Sequence, residues 1–184
     1  VLDLFLQKNE DGLKEQINLG LDFSFEDKKI YYKAKIGTKR LYALTKSKVD
    51  GFIKAYNNRE NFEFGKTFTY EPDKHFFSKQ DKKILEFLFS YNEGRSYGYY
   101  YYANNPLEMN DREFKSLLSL MNNKEFTING YLDVLEVKEE CPKIFKLSYD
   151  NDNYHVVLNN DTLILDNECK YIYNDKTLYL LPNN

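Results

Sequence analysis

Three sets of residues could do chemistry, and the context of each sets what is expected of it. Gly65-Lys66-Thr67 reads like the end of a phosphate-binding loop. That loop runs Gly-x-x-x-x-Gly-Lys-Ser/Thr so that its backbone N–H groups curl around the phosphates. Its first position here is Glu60, whose carboxylate would stand where phosphate must sit, and both flanking runs have strand character. A glycine turn is expected. Gly94-Arg95-Ser96-Tyr97-Gly98 spells the Gly-x-Ser-x-Gly nucleophile elbow. The elbow needs a sharp strand-to-helix turn that exposes the hydroxyl, with a His and a carboxylate folded back onto it. Here a helix pattern precedes the pentapeptide and a tyrosine-rich run follows, so the order is reversed, with His155 as the formal base. The metal-ligand inventory is His75, Cys141, His155 and Cys169. Structural zinc sites use close pairs such as Cys-x-x-Cys, because one turn then supplies two ligands. No such pair occurs, so ordinary thiols and partly exposed histidines are expected.

The remaining candidates are contact residues rather than catalysts. The 29 acidic residues are scattered, and none stands out as an acid–base pair. Tyr97, Tyr99, Tyr100, Tyr101 and Tyr102 could stack nucleic-acid bases, although a half-buried strand uses the same residues. Lys33, Lys35, Lys39, Arg40 and Tyr42 form the locally basic group that a hairpin would assemble, and they are the candidate nucleic-acid contact. No catalytic, cofactor-binding or metal residue is expected.

Positioning those residues requires mostly strands. Ile30, Tyr32, Ala34 and Ile36 alternate with polar or charged neighbours, and Gly37-Thr38 suits a two-residue type II′ turn into Lys39 to Thr45. That register sets Ala34 beside Leu41 and Tyr32 beside Ala43 on the inner face. Lys33, Lys35, Arg40 and Tyr42 then share the outer face. Ser47 precedes a helix with Val49, Phe52, Ile53 and Tyr56 on one side, ending at Asn57-Asn58. Ser78 to Asp81 resembles a capping box with Asp in place of Glu, opening a helix over Ile84, Leu85, Leu88 and Tyr91. Asn110 to Glu113 starts a third, which buries Phe114, Leu117, Leu118 and Met121. Beyond it, Phe145, Leu147 and Tyr149 would pair with Tyr154, Val156 and Leu158, and Tyr171 to Tyr173 with Leu178 to Leu181.

Helices among antiparallel hairpins and meanders give an α+β class with about three or four amphipathic helices, not a doubly wound nucleotide-binding sheet. The break at Gly94 to Gly98 suggests subdomains 1–92 and 93–184, or one continuous domain. With 184 residues, 42% apolar, the chain can build a real core, and 17 Tyr and 14 Phe without Trp make that core aromatic. Two cysteines are too few for a disulfide scaffold, so a reducing, cytoplasmic setting is expected, with no membrane span. A net charge of −3 means that any DNA contact must be local. Starting at Val1 in an apolar pattern (Leu2, Phe5, Leu6), the chain reads as a piece of a larger protein.

Five stretches together resemble the bacterial Swi/Snf helicase-associated domain family. They are KIGTKRLYALTK (Lys35 to Lys46), FEFGKTFTYEPDKHFF (Phe62 to Phe77), DKKILEFL (Asp81 to Leu88), NDREFKSLL (Asn110 to Leu118) and KYIYNDKTLYLLP (Lys170 to Pro182). The likeness covers about Leu21 to Asn184. It implies a parent protein in which such a domain lies between a zinc-binding SWIM segment and a two-lobed helicase ATPase. ATP and magnesium would then belong to that ATPase, which would be the partner of this chain, with DNA as a second candidate. The family's catalytic residues have no matching positions here. The resemblance thus implies a non-catalytic accessory scaffold. A direct nucleic-acid-binding module is the alternative, and a stand-alone hydrolase using Ser96 is a third.

Overall fold

The computed structural model describes residues 14–26, 29–92, 107–143, 145–158 and 161–182. Its organising element is a long strand, β1 (Glu15–Glu26), in which Ile17, Leu19, Leu21 and Phe23 alternate onto a buried face. β2 (Lys29–Gly37) returns antiparallel, pairing Glu26 with Lys29 and Asn18 with Gly37. Its Ile30, Tyr32, Ala34 and Ile36 are all buried, as period-2 alternation requires. β3 (Tyr42–Ala43) extends that edge. α1 (Lys46–Asn58) follows, with Thr45 as its extended N-cap, and buries Val49, Phe52 and Ile53. It stops where Arg59 turns left-handed at φ 57°.

β4 (Phe62–Gly65) and β5 (Phe68–Tyr70) form a small hairpin, and β6 (His75–Phe77) lies parallel to β1. α2 (Lys79–Asn92) buries Ile84, Leu85, Leu88 and Phe89. After it, β7 (Leu107–Met109) pairs with β2, and α3 (Asp111–Leu120) buries Phe114, Leu117 and Leu118, with Met121 at its C-cap. α3 opens on a full capping box. The Glu113 N–H donates to Asn110 at 3.0 Å, and the Asn110 N–H donates to the Glu113 carboxylate at 2.8 Å. β8 (Phe126–Ile128) runs parallel to β1 and turns through Asn129 (φ 54°) and Gly130 (φ 78°) into β9 (Leu132–Val134). The resulting sheet has the order β3-β2-β1-β8-β9, with β6 and β7 attached.

A second sheet has the order β10-β15-β14-β13, built from β10 (Glu136–Lys138), β13 (Leu163–Ile164), β14 (Tyr171–Asn174) and β15 (Thr177–Leu180). Between its strands in sequence, β11 (Phe145–Asp150) and β12 (Asn153–Leu158) make a separate hairpin. The fold is α+β. Alongside the expected hairpins, parallel pairings join β1 to β6, β1 to β8 and β10 to β15. The break at Gly94 to Gly98 and the amino-terminal Leu2, Phe5 and Leu6 lie outside the described residues. β7 and β8, from beyond that break, share one sheet with β1 and β2. No helix among the described residues is long and apolar enough to cross a membrane.

Aromatic rings fill the core. Phe52, fully buried on α1, meets Phe62, Phe64, Tyr70 and Phe89 with centroids 5.0 to 5.9 Å apart. At the other end, Phe114 of α3 meets Phe23 edge-on at 4.9 Å and Tyr171 of β14 at 5.4 Å, joining the two sheets.

Only half of the box expected at α2 forms. The Asp81 N–H donates to the Ser78 hydroxyl at 3.0 Å, while the Asp81 carboxylate pairs with Lys124. That carboxylate is buried, and its contact of 2.8 Å is an ion pair without hydrogen-bond alignment. Lys124→Met is expected to destabilise the fold by about 3 kcal/mol, because it strands a buried charge. Asp81→Asn combined with Lys124→Met should recover most of that loss in urea unfolding.

Asp111 ties α3 to the second sheet. Burial pushes its carboxyl upward, but hydrogen bonds from the Tyr171 hydroxyl and Lys115 outweigh that and hold it below its ordinary value of 3.8. The stabilisation is therefore present above that ordinary value and is lost as pH falls through the lowered one. The stability gap between wild type and Asp111→Asn is expected at neutral pH and should close as pH falls through that lowered range, as read by denaturant titration across pH.

Candidate nucleic-acid interface

The basic hairpin differs from its expected register. Lys35 faces Ala43 and Ile36 faces Tyr42, so residues 37–41 form a five-residue loop instead of a two-residue Gly37-Thr38 turn. Gly37 stays in β2 opposite Asn18, and its φ is not positive. It must be glycine because a Cβ there would lie 1.9 Å from the Arg40 carbonyl oxygen. The need is close approach, not a left-handed turn.

The three-residue slip flips the faces of the returning strand, since side chains alternate with period 2. Tyr42 thus leaves the outer group. It points to the side of Ile36, stacks on Phe68 at 5.5 Å and bonds the Thr67 hydroxyl. The expected pairing of Lys35 with Arg40 does not form. Arg40 instead lies over the Tyr42 ring, 5.5 Å from its centroid. Lys33 stands opposite Asp22, and Lys35 shares a shallow depression with Glu125 and Asp133. Of the five candidates, Lys39 and Arg40 remain together, exposed on the loop.

Gly65-Lys66-Thr67 lies at the tip of the β4–β5 hairpin, so strand leads to strand and no helix follows to receive a phosphate. Ser96 and the run Tyr97 to Tyr102 lie outside the described residues. Cys141 and Cys169 are exposed. His155 stands opposite Ser148 on the β11–β12 hairpin, as its register requires.

Two further features have no counterpart in the expected sites. One is a cavity of about 340 Å³ whose wall includes Lys14, Tyr56, Arg59, Tyr70, His75 and Lys82, drawn from five places in the chain. No spacing rule connects those residues. The other is the β11–β12 hairpin, whose pairing follows the sequence pattern but whose apolar face is exposed. Alternation identifies an apolar face; it does not tell whether anything covers it.

No family model, curated protein or solved structure matches the chain.

Replacing Lys39 and Arg40 with Glu is expected to weaken binding to a short DNA duplex about tenfold at low salt and to lower the log-salt slope by about 2. Unchanged affinity removes this loop from any DNA contact.

Proposed function

We propose that this chain is a non-catalytic accessory domain of a bacterial Swi/Snf-type DNA-dependent ATPase and acts as a protein-interaction scaffold. The observation that carries this reading is the β11–β12 hairpin. Its paired residues Leu147 and Val156 are 67% and 68% exposed, and the neighbouring pair Tyr149 and Tyr154 is 61% and 72% exposed. Phe145 continues the same face at 52%. Contiguous apolar surface of this kind is uncommon on a self-sufficient monomer and marks places where another protein sits.

The resemblance adds the identity of the partner class. Its five stretches fall on the β2–β3 loop, the β4–β5 and β6 region, α2, α3 and the β14–β15 pair, all contributing to one core. The exposed hairpin belongs to none of them. This division fits a shared frame that carries a contact specific to each parent protein. ATP and magnesium would act in the adjoining ATPase domain, and this chain would bias that motor through contact.

A direct nucleic-acid-binding module is the second reading, favoured by Lys39 and Arg40 on the exposed loop. The net charge of −3 and the acids beside Lys33 and Lys35 weigh against it.

The first test is the reading frame that encodes the chain. Helicase motifs after Asn184 are expected, and a frame without them sinks the proposal. Given such a frame, Leu147→Asp with Val156→Asp should weaken binding of the chain to the adjoining ATPase domain at least about tenfold by calorimetry, at unchanged melting temperature. Wild-type affinity in that variant would exclude the hairpin.

A further inference from the structure

The cavity bordered by β5, β6 and α2 gathers charge of one sign. Lys14, Arg59 and Lys82 line it together with His75 and the tyrosines 56 and 70, and none of the described lining residues is acidic. Glu71, beside the wall, is occupied by Lys74 at 2.5 Å. The local fold fixes each donor. The Lys14 ammonium rests on the Pro72 carbonyl at 3.2 Å. Arg59 is set by the left-handed end of α1. Nδ1 of His75 accepts the Glu71 N–H at 3.0 Å, which places the proton of the neutral ring on Nε2. Lys82 sits in the first turn of α2, where the helix end carries partial positive charge and adds to the ammonium instead of offsetting it.

Tyr70 supplies an independent sign of a ligand. The residue is 6% exposed and stacks on the rings of Tyr56 and His75, yet its hydroxyl makes no hydrogen bond to any described residue and is not sealed from solvent. A hydroxyl that no described residue engages, on a residue otherwise buried and opening onto a cation-lined cavity, is placed to donate to a ligand there. Burial, with the nearby Tyr56 and against the pull of Arg59, pushes this phenol up to about 12, so it keeps its proton at neutral pH.

We propose that this cavity binds a phosphate-bearing ligand, its phosphoryl oxygens held by Lys14, Arg59 and Lys82 and by the Tyr70 hydroxyl and His75 Nε2–H. A tetrahedral dianion uses this number of donors, whereas a planar carboxylate is satisfied by a single guanidinium. The volume lies at the lower end of small-molecule sites, which leaves room for a phosphate and a small group against the ring of Tyr56. A free phosphate ester and a nucleic-acid phosphate share this chemistry.

Inorganic phosphate titrated into the full 184-residue chain at low salt, with the His75 ring signals followed by NMR, tests the site. A saturable shift with a dissociation constant of about 1 mM or tighter is expected, with none from chloride at matched ionic strength. Tyr70→Phe, which keeps the ring, and Arg59→Gln should each weaken binding about fivefold to tenfold at unchanged melting temperature. Oligothymidines with and without a terminal phosphate separate the sources. A response only to the phosphorylated strand assigns the site to monoesters, and equal responses assign it to backbone phosphate. A chloride-induced shift of the same size, or wild-type affinity in both variants, overturns the proposal.

Discussion

The buried carboxylate of Asp22 reinforces the main sheet across a short parallel seam. β1 and β8 meet in parallel over only two residue pairs, Asp22 with Thr127 and Phe23 with Ile128. So short a ladder adds little by itself. Asp22 reinforces it by accepting the Thr127 hydroxyl at 2.8 Å and the Gly130 N–H at 2.7 Å, while the Asn129 N–H donates to the Phe23 carbonyl at 2.8 Å. Charge-assisted hydrogen bonds of this sort contribute about 1.5 to 3 kcal/mol each when buried. The left-handed φ of Asn129 and Gly130 aims the turn at the carboxylate. One side chain thereby sets where β8, β9 and the strands after them lie relative to β1.

From β1 the constraint spreads through rings. Phe23 packs edge-on against Phe114 of α3 and, at 5.3 Å, against Phe126 of β8, so the strand that Asp22 pins is also the strand that α3 covers. Phe114 passes the contact on to Tyr171, whose hydroxyl bonds Asp111 on the same helix. Burial comes first in raising the Tyr171 phenol above its ordinary value, followed by that bond and the negative charge of Asp111. At neutral pH Tyr171 is therefore a fixed donor, and the second sheet is joined to α3 by a ring contact and a hydrogen bond at the same residue. The exposed hairpin lies between β10 and β13 of that sheet in sequence, so its roots inherit this anchoring.

The parts legible in the sequence were the local ones. The β11–β12 register followed from alternation on both sides of a four-residue turn region, within which Asn151 and Asp152 take positive φ. The start of α3 at Asn110 to Glu113 was readable for the same reason, and the capping box that opens it joins residues three apart. The β2–β3 register is not legible because Gly37 answers to the Arg40 carbonyl, a packing demand that resembles a turn signal in sequence. The Asp81 carboxylate departs from the expected box because Lys124, 43 residues later, competes for it. Parallel contacts to β1 and the cation-lined cavity join residues whose neighbourhood exists only after folding. No periodicity encodes them.

Charge placement follows the same logic. With 29 acids against 26 bases, a cation on this surface finds an acid nearby unless the backbone keeps acids away. Lys33 and Lys35 sit on a regular strand and receive Asp22, Glu125 and Asp133 as neighbours. Lys39 and Arg40 escape because the wide loop carries them past the sheet edge. Around the cavity cations aromatic rings fill much of the space: Tyr56 and Tyr70 stack at 6.2 Å and His75 closes the row, while Glu71 is held by Lys74 and Glu86 lies near enough to act on the Tyr56 phenol. An aromatic core extended to the surface thus does two jobs, packing the frame and lowering the local dielectric around clustered positive charge. In such a setting a few ammonium and guanidinium groups attract an anion more strongly than they would on an open strand, and selection among anions falls to the fixed hydrogen-bond donors between them.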